Sequence, residues 1–198
     1  MRPPGPQGVG TTVTALLLAG GLSTRMGRDK ASLLVKGETL WSRQLRLLCE
    51  LKPQEICISA RSVPAWATPD VSLILDTPPS RGPLSGVAAA LERMNTTHLL
   101  VLAVDLPNMT SSHLSLLLSR SSPGHGIVPS QKGYFEPLAA VYPKEATAAA
   151  QRALAANELS MQPFTRSLVQ ASLLKEYPLS AEEVSLYLNL NTPPADGK

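Results

Sequence analysis

The composition of the chain already excludes several classes of protein. It has 198 residues, of which 43% are hydrophobic and 17% are charged, so it can bury one sizeable core and does not have the composition of a disordered protein. Its 18 Lys and Arg exceed its 15 Asp and Glu by only +3, and like charges do not form runs. We therefore expect one globular domain that binds neither nucleic acid nor a membrane surface.

The cysteines and the N-terminal residues indicate where the protein works. Cys49 and Cys57 are too few for a disulfide framework or a four-cysteine zinc site, and such sparse use is typical of a reducing cytoplasm. The apolar run 13–19 is too short to cross a bilayer and lacks the flanking features of a signal peptide. We predict a flexible Pro- and Gly-rich tail over 1–11, one domain over 12–198 and a cytoplasmic location.

Strands and helices alternate along this domain. Apolar runs predict strands at Thr12–Leu18, Glu55–Ser59, Val71–Leu75, His98–Val104, Gly126–Pro129, Tyr134–Tyr142 and Ser185–Asn191. Helical spacing of apolar residues predicts helices at Glu38–Leu51, Leu84–Met94, Ser111–Arg120 and Lys144–Ala156. Thr110 is the predicted N-cap of the third helix. This alternation predicts an α/β fold whose mostly parallel sheet is covered on both faces.

A polar loop with paired glycines follows the first strand, where open α/β sheets bind ligands. From Leu18 the sequence reads Leu-Ala-Gly-Gly-Leu-Ser-Thr-Arg-Met-Gly-Arg-Asp-Lys. Gly20 and Gly21 lack side chains, so their backbone N–H groups can approach an anion. Arg25 can bind two phosphate oxygens at once, and Lys30 supplies a compact positive charge. The spacing matches neither a P-loop nor a dinucleotide-binding fingerprint. The alternative is that the segment is a solvated turn, but two glycines, Arg25 and Lys30 in one loop after a strand favour phosphate binding.

Asp105 ends the most apolar predicted strand and is the candidate metal ligand. Its carboxylate is a hard oxygen donor of the kind that binds Mg²⁺ together with substrate phosphates. The structural alternative is that Asp105 caps the turn before Pro107. Together, the basic loop and this carboxylate predict a site for a nucleoside triphosphate and its metal.

Two further segments carry weaker signals. Residues 76–86 are rich in turn formers and lead into a helix, whose N-terminal N–H groups could face an anion or a base edge. The structural alternative is that Pro83 fits the first turn of a helix, which explains most of this segment. Asn189 and Asn191 alternate on one face of the last predicted strand. Their amides could bind polar ligand edges or could end the strand in a turn.

These segments, in this order, resemble the molybdenum cofactor guanylyltransferases, the MobA-type nucleotidyltransferases. The loop from Leu18 to Lys30 is similar to that family's signature almost letter for letter. Later motifs also match: Gly82-Pro83-Leu84-x-Gly86, Asp105-Leu106-Pro107, Glu136-Pro137-Leu138 and Asn189-x-Asn191-Thr192-Pro193. The similarity runs from about Val13 to Asp196.

The resemblance implies a Rossmann-like three-layer fold and Mg²⁺-dependent transfer of GMP from GTP to the terminal phosphate of molybdopterin, free or molybdenum-bound, with release of pyrophosphate. It implies catalytic roles for Arg25, Lys30 and Asp105, with Asp105 as metal ligand. The GTP-binding positions it implies are Leu18, Ala19, Gly20, Gly21, Arg25, Lys30, Asp76, Gly82, Pro83 and Asp105. Asn189 and Asn191 match the molybdopterin side, and molybdoenzyme-maturation proteins are the expected partners.

The chain departs from the family at two places. Ser59-Ala60-Arg61 stands where relatives often have an asparagine, and residues 157–170 lack the adjacent basic pair common before the late helix. Three alternatives stay open: a molybdopterin cytidylyltransferase, another nucleotidyltransferase with a small phosphorylated acceptor, and a non-catalytic nucleotide-binding adaptor. Nucleobase choice depends on a few hydrogen bonds that motifs do not display.

Overall fold

A central sheet positions the described parts of the segments singled out above. The computed structural model describes residues 11–20, 30–67, 71–75 and 81–190. Its strands are β1 (Val13–Leu18), β2 (Leu34–Val35), β3 (Glu38–Thr39), β4 (Glu55–Ala60), β5 (Ser72–Leu75), β6 (His98–Ala103), β7 (Gly126–Gln131), β8 (Tyr134–Phe135), β9 (Ala139–Pro143) and β10 (Leu174–Pro178). The predicted tail over 1–11 falls almost wholly outside the described residues.

The main sheet has the order β10-β7-β9-β6-β1-β4-β5, and β8 pairs with the end of β7. β1 pairs in parallel with both β4 and β6, β4 with β5, and β7 with β10. Only β9 and β8 run the other way within the described sheet. The carboxyl ends of β1, β4 and β6 therefore meet at one edge, which is where such sheets bind ligands.

Helices cover both faces of the sheet. They are α1 (Leu40–Glu50), α2 (Pro83–Arg93), α3 (Ser111–Arg120), α4 (Thr147–Ala155) and α5 (Met161–Gln170). Leu17 and Leu102 face the core shared with α1 and α3, whereas Leu16 and Val101 face the core shared with α2, α4 and α5. This alternation along buried strands confirms the predicted three-layer α/β fold with a mostly parallel sheet. No helix in the described ranges is both long and apolar enough to span a membrane.

Several predicted elements need correction. The predicted strand Ser185–Asn191 is wrong: Glu183–Tyr187 forms a 3₁₀ helix, and the edge of the sheet is occupied instead by β10. Neither β10 nor α5 was predicted. The predicted strand Tyr134–Tyr142 is interrupted after β8 by a turn containing Pro137, which has no N–H to donate to a ladder. The N-cap role of Thr110 is confirmed, because its side chain accepts a hydrogen bond from the backbone N–H of His113.

Candidate active site

The loops at the carboxyl edge of the sheet are hydrogen-bonded to one another. The backbone N–H of Ala19, just after β1, donates to the carbonyl of Ser59 near the end of β4, at 2.9 Å. The N–H of Val104, just after β6, donates to the carbonyl of Leu18 at 3.1 Å. The start of the Gly-Gly loop is therefore held between the two neighbouring strand ends.

Gly20 lies close to the end of β4. A side chain Cβ built at Gly20 would stand 3.5 Å from the Cα of Ala60 and 3.7 Å from the backbone nitrogen of Arg61. Gly20 thus lies beside Ala60 and Arg61, which belong to the segment where the resemblance implies an asparagine. The departure over Ser59-Ala60-Arg61 therefore lies next to the candidate nucleotide loop.

Part of the candidate phosphate loop lies outside the described residues. Gly21 and Arg25 fall in 21–29, outside the described residues, and their contact with a phosphate stays a prediction. The described chain resumes at Lys30, whose backbone begins a 3₁₀ helix, Lys30–Ser32, which is followed by the β2–β3 pair and then by α1. Ala31 in this turn is fully buried, which fixes the backbone next to Lys30 in the core. Nothing is described of the Lys30 side chain.

The Gly82-Pro83-Leu84-x-Gly86 motif forms the start of α2. Gly82 has φ of +74°, a conformation that L side chains rarely adopt, and Pro83 occupies the first helical position. Gly86 lies against the sheet, because a Cβ there would stand 2.9 Å from the Cβ of Ser59 and 3.1 Å from Leu18 Cδ2. Gly86 therefore permits the close approach of α2 to the ends of β1 and β4, whereas Gly82 supplies the positive φ at which the helix begins. Asp76, the other residue predicted here, lies outside the described residues.

Replacing Gly86 by alanine is expected to destabilise the protein, because the added methyl overpacks the contact with Ser59 and Leu18. We expect the free energy of unfolding to fall by about 1–3 kcal/mol, measured by urea denaturation. The double variant Gly86→Ala/Ser59→Ala should recover part of that loss, since it removes the hydroxyl nearest the new Cβ. Strictly additive effects of the two changes would contradict this account.

Asp105 lies half-buried on the first turn after β6, at the centre of the edge. Its backbone carbonyl accepts a hydrogen bond from the N–H of Leu190 at 2.9 Å, which joins it to the Asn189 segment. From the described residues, no group of three or more acidic, histidine or cysteine side chains gathers around it or elsewhere. A single carboxylate suits Mg²⁺ that arrives with substrate phosphates supplying the other oxygen ligands.

Two side chains of α1 hold the loop that follows Asp105. Gln44, which is fully buried, donates from Nε2 to the carbonyl of Leu106 at 2.7 Å. Arg43 donates from Nε to the carbonyl of Pro107 at 2.7 Å and from Nη2 to that of Met109 at 3.3 Å. The loop is thereby tied to the helix that follows the phosphate loop. Neither residue was predicted, because both read as ordinary polar positions of a helix.

The C-terminal described segment is tied to the same loop. Nε2 of His113, on α3, and the hydroxyl of Tyr187 are hydrogen-bonded at 2.7 Å, and Asn108 donates to the carbonyl of Ser185 at 3.0 Å. Burial lowers the pKa of His113, and Glu183 beside it acts in the opposite direction. These contacts bring Asn189 to the edge near Asp105, while Asn191 lies outside the described residues.

A cleft of about 400 Å³ opens between the end of β6, the turn before β9 and the start of α5. Its lining comprises Pro83, Leu106, Phe135, Glu136, Pro137, Leu138, Ala139, Leu159, Ser160, Met161, Gln162 and Asn189. Asn189 and Pro83 were predicted site residues, whereas the α5 residues were not. The Glu136-Pro137-Leu138 motif was the available sequence signal for this cleft.

The geometry defines a class of protein: an open α/β domain with a mostly parallel sheet, a class that binds its ligands at the carboxyl edge. Comparison with known proteins agrees. The family model described as "MobA-like NTP transferase domain" matches residues 15–173. The chain therefore belongs to the MobA-like NTP transferase family, and it is a nucleotidyltransferase.

Two relatives that match about nine tenths of the chain are named for one activity. A "Probable molybdenum cofactor guanylyltransferase" of Opitutus terrae is 38% identical over 186 residues, covering 92% of each chain. A protein of the same name from Chloroflexus aggregans is 32% identical over 191 residues, 91% of this chain and 90% of its own. Among solved structures, molybdopterin-guanine dinucleotide biosynthesis protein A from Archaeoglobus fulgidus has a TM-score of 0.68 at 21% identity, over 91% of this chain and 93% of its own. That structure shows the fold.

Proposed function

We propose that the protein transfers GMP from GTP to the terminal phosphate of molybdopterin, free or molybdenum-bound, and releases pyrophosphate. The geometric observation that carries the proposal is the bond between Leu190 N–H and the Asp105 carbonyl, which brings the acceptor-side segment to the predicted metal ligand. The names of the relatives supply the choice of nucleotide and acceptor.

The triphosphate would lie along the loop that begins at β1. Next to Leu18 and Ala19, the N–H groups of Gly20 and Gly21 would approach the phosphates, because the N–H of Ala19 is already bonded to the Ser59 carbonyl. Arg25 and Lys30 would neutralise the phosphate charge. The guanine would lie toward the start of α2, near Gly82, Pro83 and Asp76. The close packing of Gly86 against Ser59 sets the position of that helix start relative to the loop.

The reaction requires little acid–base chemistry. The terminal phosphate of the acceptor is already anionic near neutral pH, so one of its oxygens can form a bond to the α-phosphorus of GTP directly. The bond from the α-phosphorus to the bridging oxygen of the β-phosphate breaks, and that oxygen leaves with pyrophosphate. The protein contributes in-line positioning of two anions and neutralisation of charge by Arg25 and Lys30.

Asp105 fits a magnesium ligand by its donor chemistry and its position. Its carboxylate follows a fully buried strand, and the loop behind it is held by Arg43 and Gln44. Bound Mg²⁺ would neutralise charge on the phosphates and on the leaving pyrophosphate. The protein itself would hold Asp105 at a fixed distance from the phosphate loop. The side chains of α1 hold it on one side, and the N–H of Leu190 holds it on the other.

Replacing Arg43 by alanine is expected to loosen the Asp105 loop, because two carbonyl acceptors lose a charged donor. We expect the free energy of unfolding to fall by about 1–3 kcal/mol and the Mg²⁺ concentration for half-maximal turnover to rise. Urea denaturation and a Mg²⁺ titration measure the two effects. Arg46→Ala is the matched control, since Arg46 is on the same helix but pairs only with Glu38 and Glu50 at the surface. Equal effects of the two variants would contradict the positioning role of Arg43.

A competition experiment tests the function directly. The purified protein is incubated with molybdate-loaded molybdopterin, Mg²⁺ and equal concentrations of GTP and CTP, and product masses are measured. A guanine dinucleotide with pyrophosphate is the expected result. A cytosine dinucleotide would retain the mechanism and overturn the choice of base. GTP binding without any dinucleotide would overturn the proposal in favour of another acceptor or a binding protein.

We further propose that the reaction takes place in the cytoplasm, beside the molybdoenzyme-maturation proteins that would take the product. Both cysteines are free thiols in the structure, Cys49 at the surface and Cys57 buried. Surface thiols persist in reducing compartments, which supports this location.

A further inference from the structure

The cleft beside Asp105 combines an apolar wall with one acidic side chain. Leu106, Phe135, Leu138 and Met161 contribute apolar surface, and Glu136 is the one titratable residue in its described lining. Such a cleft suits a flat ring system that presents hydrogen-bond donors along one edge. It does not suit a phosphate, which a carboxylate repels.

The carboxylate of Glu136 is available to a ligand. The side chain is half-buried, and no described residue donates a hydrogen bond to it or pairs with its charge. Burial raises the pKa of this carboxyl above its usual range. A carboxylate in such a setting is stabilised when donors bind it, so a ligand with paired N–H groups gains a charge-assisted contact.

The turn that carries Glu136 is held rigidly. The N–H of Glu136 donates to the carbonyl of Pro129 at 2.8 Å, and the buried hydroxyl of Tyr142 donates to that of Pro137 at 2.8 Å. Gln162, on α5, donates to the carbonyl of Phe135 at 2.7 Å and accepts from its N–H at 3.2 Å. The backbone that carries Glu136 is therefore fixed before any ligand binds, which favours selective recognition.

The cleft lies away from the candidate nucleotide loop. Gly20 packs beside Ala60 at the end of β4, on one side of β1, whereas Glu136 precedes β9, on the far side of β6. Asp105, at the end of β6, stands between the two. A nucleotide on the β1–β4 side leaves the cleft to the second substrate.

We propose that Glu136 is a specificity-determining residue of the acceptor site, whose carboxylate binds the 2-amino-4-oxo edge of the pterin ring through the ring N–H and the exocyclic amino group. The acceptor phosphate then points out of the cleft toward Asp105 and the α-phosphate of GTP. This inference rests on the proposed function for its substrate. Guanine carries the same edge as a pterin, and Pro83 of the proposed guanine side also lines the cleft. Glu136 itself lies on the far side of β6 from the nucleotide loop, which assigns it to the pterin.

Binding of phosphate-free rings tests this contact without requiring turnover. Pterin (2-amino-4-oxopteridine) and lumazine (2,4-dioxopteridine), which lacks the amino group, are titrated by isothermal calorimetry. We expect the intact protein to prefer pterin by about tenfold or more, and Glu136→Gln to lose that preference. The matched control Glu158→Gln removes an exposed carboxylate outside the cleft and should keep it. Failure of the intact protein to bind pterin, or an unchanged preference in Glu136→Gln, would overturn the inference.

Steady-state kinetics show whether Glu136 binds the 2-amino-4-oxo edge of the pterin or that of guanine. In Glu136→Gln we expect the KM for molybdopterin to rise about tenfold or more while the KM for GTP stays within about twofold. A rise in the KM for GTP with an unchanged acceptor KM would assign Glu136 to guanine and overturn the inference. If the intact protein forms no guanine dinucleotide, the proposed function fails, and the pterin titration still decides the role of Glu136.

Discussion

Replacing Asp105 by asparagine is expected to lower turnover by about 10²–10³-fold without unfolding the protein. Asparagine has nearly the same shape, and its backbone carbonyl can still accept the hydrogen bond from Leu190. What the variant loses is the negative charge at the point where the metal and the phosphates are proposed to meet. Steady-state kinetics at saturating Mg²⁺ and the thermal unfolding midpoint measure the two parts of this prediction.

The control for Asp105 is another carboxylate that lies away from the edge. Glu176→Gln changes an exposed side chain on β10, at the far end of the sheet, and should leave turnover unchanged. A folded Asp105→Asn variant with near-normal turnover would remove this residue from the mechanism and with it the proposed metal site.

Replacing Lys30 by alanine is expected to reduce turnover by a similar factor, about 10²–10³-fold. In the proposed mechanism the lysine charge would neutralise the phosphate that develops negative charge as pyrophosphate departs, so kcat should fall more than the KM for GTP rises. Ala31 beside it is fully buried and stays in place, so the turn before α1 is expected to survive. Rapid-quench measurement of pyrophosphate release gives the chemical step directly.

The Lys30→Arg variant tests whether the site requires the compact lysine ammonium group or only a positive charge. Arginine keeps the positive charge but presents a planar, larger group, so only partial recovery of turnover is expected. Lys175→Ala, on the exposed face of β10, is the matched control for loss of a lysine. Unimpaired turnover in a folded Lys30→Ala variant would show that the loop only binds nucleotide.

The central strands and the start of α2 were predictable from local pattern. β1, β4 and β6 are short, nearly continuous apolar runs, which is how strands buried on both faces read in a sequence. Gly82 and Pro83 carry their roles in their own backbone preferences: positive φ for the glycine and the first helical position for the proline.

The peripheral elements were not predictable in the same way. β10 contains Lys175 and Glu176 on exposed positions, and α5 contains Pro163, so neither shows an unbroken local signal. The strand was predicted over Ser185–Asn191, yet residues 183–187 form a 3₁₀ helix, because Tyr187 packs on His113 and the carbonyl of Ser185 accepts a hydrogen bond from Asn108. Partners distant in sequence decided these elements.

The sequence by itself determined the α/β class of the fold, the buried strands and the identity of the family, because hydrophobic patterning and the motif residues are local properties of the chain. Only the tertiary structure decided which side chains meet at the carboxyl edge. The support of the Asp105 loop by Arg43 and Gln44, and the placing of Glu136 in a cleft, depend on contacts between segments tens of residues apart. Such contacts arise only when the sheet order brings those segments together.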